Sequence, residues 1–263
     1  MDFLVMLGFI IAVNWLCLTL VWLISLKIKD VGIVDIYWGI GFVIMAWACF
    51  LFNLQDNTSA ISQSQWLINI MVTIWGLRLS LHLAARNLGK EEDYRYAAMR
   101  KKSAGDFRIQ SYFRVFMLQG FLQILIILPV LAIHLYSSAF GLSIFHYLGI
   151  ALWAIGFVYE TVADIQLVNF RSDPSNHNRV LNSGLWRFSR HPNYFGDALQ
   201  WFAFFIFSLP TGYYWGIISP LMMLFIFLRL TIRLLERPQT IKRPEYEEYV
   251  KSTNIFFPGW KKN

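Results

Sequence analysis

Charge is scarce in this chain. Lys, Arg, Asp and Glu make up 15% of its 263 residues, against about 25% in a typical soluble domain. Cysteine is nearly absent: Cys17 and Cys49 both fall inside apolar segments, which excludes a disulfide framework and argues against a thiol or thiolate-metal site. No Gly-x-Gly-x-x-Gly string follows a strand-like run, so a Rossmann site is excluded as a means of binding nucleotides. No internal repeat, heptad array or low-complexity run is evident. Asp2 stands where a secretory signal would place its basic residues and no small-residue cleavage site follows, so the expectation is an uncleaved N-terminus.

What is present is apolar. Hydrophobic residues make up 57% of the chain, with 23 Phe, 12 Tyr and 11 Trp. Seven hydrophobic stretches can be read, at roughly 2–26, 31–53, 65–86, 112–136, 140–165, 194–209 and 213–235. Most approach the ~20 apolar residues that cross a hydrocarbon core as a helix. The connections near 54–64, 137–139 and 210–212 hold no Lys or Arg, whereas those at 27–30, 87–111 and 166–193 and the tail from 236 hold most of the 23. The positive-inside rule makes the basic set cytoplasmic and puts the N-terminus outside and the C-terminus inside. The net charge of +7 is therefore a loop bias and not a nucleic-acid footprint. The expected fold is all-α: one integral membrane bundle of seven helices over 1–263, without a separate soluble domain, monomeric or weakly oligomeric and of the bacterial inner-membrane type.

Ionisable residues inside such segments are costly, and each is a site hypothesis. Asp35 lies near the inner end of the second stretch. Arg78, His82 and Arg86 recur every four residues on the third, and Glu160 and Asp164 on the fifth, so each set shares a helix face. Asp197 opens the sixth; Arg229, Arg233 and Glu236 share a face at the end of the seventh. In the outer half only His134 and His146 stand comparably. Polar groups from five helices at one depth imply a chamber open to the cytoplasm. Pro192 suits the first turn of a helix, so free N–H groups would face the cytoplasm beside Arg190, an arrangement that favours anions.

The ordered motifs carry a resemblance. Gly184-Leu185-Trp186, Ser189-Arg190-His191-Pro192-Asn193-Tyr194-Phe195-Gly196-Asp197, Glu236 and Pro244-Glu245-Tyr246-Glu247-Glu248-Tyr249 resemble the DUF1295 family of the steroid 5α-reductase-like clan. Asp35-Ile36-Tyr37-Trp38-Gly39, Trp75-Gly76-Leu77-Arg78-Leu79-Ser80, Arg86-Asn87 and Glu92-Asp93-Tyr94-Arg95-Tyr96 extend the match over about residues 30–258. The resemblance implies a membrane enzyme that binds NADPH from the cytoplasm and reduces a C=C bond conjugated to a carbonyl in a steroid-like or other lipid substrate. It implies cofactor contacts from Asp164, Arg171, Arg179, Ser189, Arg190, His191, Asn193, Tyr194, Asp197, Arg229, Arg233, Tyr246 and Tyr249. The forked donors of Arg171, Arg179 and Arg190 would suit the pyrophosphate and 2′-phosphate. Carbonyl-side chemistry would fall to Asp35, His82 and Tyr37, with Tyr96 in reserve. Asp35 could donate only in its protonated form. His82 stands where the clan's better-known reductases carry a Tyr, and imidazole is a different acid from a phenol. Trp38, Trp75, Arg78 and Trp201 are the candidate substrate-pocket walls. No metal and no obligate protein partner are expected.

A second reading shares part of this signature. Membrane isoprenylcysteine carboxyl methyltransferases have a similar Arg-His-Pro-x-Tyr string, a late Glu and a Tyr-x-x-Tyr tail, which would make S-adenosylmethionine the cofactor. That ligand is a small cation and has no need of three arginines. A non-enzymatic scaffold or transporter is the third possibility, disfavoured because no Gly/Pro-interrupted helix pair repeats across two halves.

Overall fold

The computed structural model describes residues 3–55, 61–137, 141–236, 243 and 245–260. Every regular element among them is helical. The chain divides into two compact units, Met1–Ser143 with Ser208–Gly216, and Ile144–Phe207 with Ile217–Asn263.

The first unit is built on α1 (Phe3–Ile28), α2 (Ile33–Gln55) and α3 (Gln63–Asn87). Lys29, in the left-handed region at φ 60°, ends α1 and turns the chain into α2. Ser62 starts α3 with a capping box: its hydroxyl accepts from the Gln65 N–H at 3.3 Å, and Gln65 Oε1 accepts from the Ser62 N–H at 2.8 Å. Two motif glycines explain how α2 and α3 pack. A Cβ on Gly39 would collide with the Gly76 carbonyl oxygen, and one on Gly76 would come within 2.6 Å of the Gly39 carbonyl. The backbones meet at these glycines, and Ser80 Oγ accepts the Ile40 N–H at 3.0 Å beside them. Trp75, fully buried, packs edge-on to Phe42 with centroids 5.6 Å apart.

Helix α4 (Tyr94–Lys102) lies in what the sequence shows only as a polar loop. Asp93 caps it by accepting the Arg95 N–H at 2.9 Å, and Arg100, Lys101 and Lys102 close its last turn, where cations suit the helix dipole. Helix α5 (Phe107–Ile126) starts at Asp106, which caps it through the Arg108 N–H at 2.9 Å, and contains a π turn over Tyr112–Met117. The expected span 112–136 is interrupted. α5 stops at Ile126 and α6 (Leu128–Tyr136) begins afresh, because Pro129 has no N–H and a proline ring clashes with the preceding turn. His134 on α6 is structural: its carbonyl accepts from Asn53 at 2.7 Å and Gln65 at 3.2 Å, and its Nε2 lies 3.0 Å from Asn69 Oδ1.

The second unit holds α7 (Ile144–Ser172), α8 (Pro192–Ser208), the larger part of α9 (Tyr214–Glu236) and the short α10 (Glu245–Ser252). α7 and α8 also cross at glycines. A Cβ on Gly156 would stand 2.7 Å from the Gly196 carbonyl oxygen, and one on Gly196 2.5 Å from the Glu160 nitrogen. Gly184, at φ 59°, turns the chain back toward α8, as its place in the motif suggests.

Six helices among the described residues, α1, α2, α3, α5, α7 and α9, are long and apolar enough to cross a membrane. The expected sixth span falls on α8, whose 17 residues rise about 26 Å, less than the ~30 Å hydrocarbon core.

Candidate functional site

In the second unit the glycine crossing sets two polar pairs between α7 and α8. Gln200 Nε2 donates to Glu160 Oε2 at 2.7 Å, and Asn193 Nδ2 donates to Asp164 Oδ1 at 3.0 Å. Glu160, Asp164, Asp197 and Gln200 are all buried. The two amide carbonyl oxygens, Asn193 Oδ1 and Gln200 Oε1, are also buried and accept no hydrogen bond. A buried acceptor without a donor is destabilising, so this acid–amide ladder suits a ligand rich in N–H or O–H donors. Asp164, Asn193 and Asp197 are three of the expected cofactor contacts; Glu160 and Gln200 extend the row by a turn. The signal for Glu160 was its i, i+4 spacing from Asp164. Gln200 carried none, since glutamine on an apolar helix reads as neutral.

A second constellation surrounds the start of α8, and it is architectural. Arg190, 7% exposed, donates through Nε to Glu236 Oε1 at 2.7 Å and through Nη2 to Glu236 Oε2 at 3.2 Å. Its Nη1 donates to the carbonyls of Val250 at 3.0 Å and Thr253 at 2.8 Å. Ser189 Oγ donates to the Phe256 carbonyl at 2.7 Å, and the Tyr249 hydroxyl donates to the Trp186 carbonyl. Two main-chain bonds, Arg190 N–H to Asn254 at 2.9 Å and Gly259 N–H to Phe188 at 3.0 Å, complete the seam. Ser189, Arg190 and Tyr249 therefore stitch the tail to the segment before α8. The fork that suggested a pyrophosphate closes on Glu236 and on carbonyls sixty residues away.

His191 belongs to the same knot. Its Nε2 lies 3.0 Å from Glu236 Oε1, and its ring stacks on Tyr194, which stacks in turn on Phe227. Burial pushes its pKa below the usual histidine value, and the neighbouring Arg190 cation adds to this, against the pull of Glu236. Burial and Glu236 likewise raise the Tyr246 phenol. The remaining expected cations, Arg171, Arg179, Arg229 and Arg233, are exposed. Pro244 of the tail motif lies outside the described residues.

In the first unit Asp35 is clamped. Its Oδ2 accepts from Arg95 Nη2 and its Oδ1 from the Tyr96 hydroxyl, both at 2.7 Å, with Gln119 Nε2 3.4 Å from that hydroxyl. Asp35 is an acceptor in this arrangement, and its ion-pair partner comes from α4. Arg95 also donates to Asp93 at 2.9 Å; burial works against that carboxylate, but the Arg95 hydrogen bonds win and hold its pKa below the usual range. Burial first, then the Asp35 charge, raises the Tyr96 phenol. Tyr37, 7% exposed, donates to Asn14 Oδ1 at 3.3 Å, within the packing of α1 on α2. Arg78 and His82 are half-buried one turn apart on α3. Trp75 and Trp201 are fully buried, Trp201 against Phe204, and Trp38 is half-buried beside Phe42. Two of the four expected pocket walls are thus core side chains. No group of three or more His, Cys, Asp or Glu among the described residues could hold a metal ion.

Long apolar helices with acids and amides buried between them define a multi-pass integral membrane protein. The chain matches the family described as "Protein of unknown function (DUF1295)" over residues 21–253, and it belongs to that family. An uncharacterized protein of Schizosaccharomyces pombe is 24% identical over 90% of this chain and 75% of its own length. The 3-oxo-5-alpha-steroid 4-dehydrogenase 1 of Rattus norvegicus is 28% identical over 42% of this chain, and the very-long-chain enoyl-CoA reductase of Dictyostelium discoideum 37% over 24%. The chain spans 40% and 21% of the lengths of these two proteins. No solved structure matches.

Proposed function

We propose that this protein is a seven-span membrane oxidoreductase, N-terminus outside and C-terminus cytoplasmic, that uses NADPH to reduce a C=C bond conjugated to a carbonyl in a lipid-like substrate. The observation that carries the reading is the acid–amide ladder of the second unit. Its open acceptors, Asn193 Oδ1 and Gln200 Oε1, with Asp164 and Asp197 beside them, fit the N–H groups of a carboxamide and the hydroxyls of a ribose. The exposed guanidinium groups of Arg171 and Arg179 fit phosphates. The names of the steroid dehydrogenase and enoyl-CoA reductase relatives both describe redox chemistry at a carbon–carbon bond beside a carbonyl, which supports the reaction class.

NADPH, when bound, supplies a hydride to the β-carbon. The second hydrogen reaches the α-carbon as a proton, and negative charge develops meanwhile on the carbonyl oxygen, where a hydrogen-bond donor lowers the barrier. Within the first unit, Asp35 accepts from Arg95 and from the Tyr96 hydroxyl, whose one proton is thereby engaged. The apolar substrate enters from the lipid.

Calorimetry on the detergent-purified protein tests the reading. NADPH should bind, and Asp164→Asn or Asn193→Leu should weaken it about tenfold or more, one lost hydrogen bond to a charged or buried group being worth roughly 1.4 kcal/mol. Binding of S-adenosylmethionine in place of NADPH would replace the reductase with the methyltransferase. The internal engagement of Arg190 makes that comparison worth running, because its charge is already met by Glu236.

A further inference from the structure

The basic residues between α3 and the middle of α5 fall into two groups. Arg95 pairs with Asp35 and Asp93, Arg100 with Glu92 at 2.7 Å and Arg108 with Asp106 at 3.0 Å. Each is neutralised within the protein. Lys90, Lys101, Lys102 and Arg114 are not: none of the four forms an ion pair among the described residues. Of these, Lys102 and Arg114 come from different helices, and the hydrogen bond of Arg114 goes to a neutral amide, Gln110 Oε1 at 3.4 Å. These two cations line the same groove, of about 210 Å³, with Met99, Ser103, Phe107 and Gln110.

The groove is amphipathic in a directed way. Met99 and Phe107 give it an apolar wall, and the Arg100 guanidinium lies 4.4 Å over the Phe107 ring. Gln110 Nε2 remains a further donor. The groove lies across the first two turns of α5, where the helix that runs on as a candidate span begins. Ile109 and Phe113, on the same two turns, are exposed at 58% and 64%, and beyond the groove Leu118 and Phe121 are exposed at 51% and 58%, as side chains facing acyl tails would be. Cations at the start of a lipid-facing helix, with apolar surface immediately deeper, match the layering of a phospholipid: phosphate outermost, glycerol and chains beneath.

We propose that this groove is a binding site for the phosphate headgroup of an anionic phospholipid, with Lys102 and Arg114 as its charge partners and Met99 and Phe107 against its glycerol and upper acyl carbons. Occupancy fastens α4 to the bilayer surface. The site is separate from the acid–amide ladder and does not rest on the reductase reading.

The test uses the full purified chain in nanodiscs of phosphatidylcholine, with and without phosphatidylglycerol, scored by phospholipid retained in native mass spectrometry and by Tm. Phosphatidylglycerol should be retained and raise Tm. Lys102→Gln with Arg114→Gln should weaken retention about 30-fold, each cation near a membrane surface being worth about a factor of five, and remove most of the Tm shift. Arg108→Gln, whose cation is already paired and lies outside the groove, should leave both unchanged. Equal retention by the double variant would overturn the proposal, as would an equal Tm rise from inorganic phosphate or NADPH in phosphatidylcholine alone, since either result dispenses with the lipid. Loss of retention in Arg108→Gln to the same degree would overturn it too, by making the effect one of net charge.

Discussion

Both units bring two helices together through a pair of glycines, and they put the contact to opposite uses. At Gly39 and Gly76 the close approach seals a core: Trp75 and Phe42 fill the adjoining space, and the nearby hydroxyl of Ser80 is absorbed by a backbone N–H. At Gly156 and Gly196 the same approach draws together side chains that cannot all satisfy one another, leaving Asn193 Oδ1 and Gln200 Oε1 buried without donors. Close helix packing is thus indifferent to function. What distinguishes the second crossing is that the residues one and two turns away are acids and amides, and buried acceptors without donors are a cost that a ligand, ion or water can remove. The first unit also holds an acid, Asp35, but gives each of its oxygens a donor, from Arg95 and Tyr96.

The sharpest way to separate architecture from site in the second unit is at Arg190. Arg190→Ala leaves Glu236 without its bidentate partner and two tail carbonyls without donors. Breaking a buried pair costs about 3–5 kcal/mol, and limited proteolysis should then cut the chain near Lys251 while α7 and α8 stay protected. Arg190→Lys should recover little, because an ammonium lacks the planar fork.

Next in size are the crossings themselves. Gly39→Ala and Gly196→Ala should each destabilise by about 1–3 kcal/mol in thermal unfolding, the usual cost of overpacking a filled contact. Only Gly196→Ala should also abolish nucleotide binding, because it displaces Glu160 and hence the ladder. Equal losses of binding in both variants would erase the distinction drawn between the units.

The smallest effect is a pH slope at His191. The pKa of its buried ring is depressed in the folded protein, so the unfolded chain takes up the proton first as pH falls. Stability should therefore decline from about pH 6.5 down to the lower native value and level off below it. His191→Gln should flatten that slope in urea titrations at successive pH values. A slope unchanged in the variant assigns the titration elsewhere.

The sequence carried much of this. The apolar stretches and the one-sided distribution of Lys and Arg mark the spans, because a hydrocarbon core and a charged surface sort residues by transfer energy alone. The i, i+4 spacing of Glu160 and Asp164 marks a shared face for the same kind of reason, the geometry of one helix. Local chemistry could also have shown the break at Pro129, which the length of the 112–136 stretch obscured. Arg190 is the opposite case. Its motif surroundings and its position before a helix start look like an anion site, yet the group that takes its charge is Glu236, forty-six residues on, and the carbonyls come from later still.

Residue order alone marks a helical membrane protein with polar residues gathered toward one end of its apolar stretches, since hydropathy and periodicity act residue by residue. Which polar residues are consumed within the fold, and which are left over, is settled by packing. A hydrogen bond saturates, and whether a donor or acceptor remains open depends on partners brought near by packing rather than by chain order.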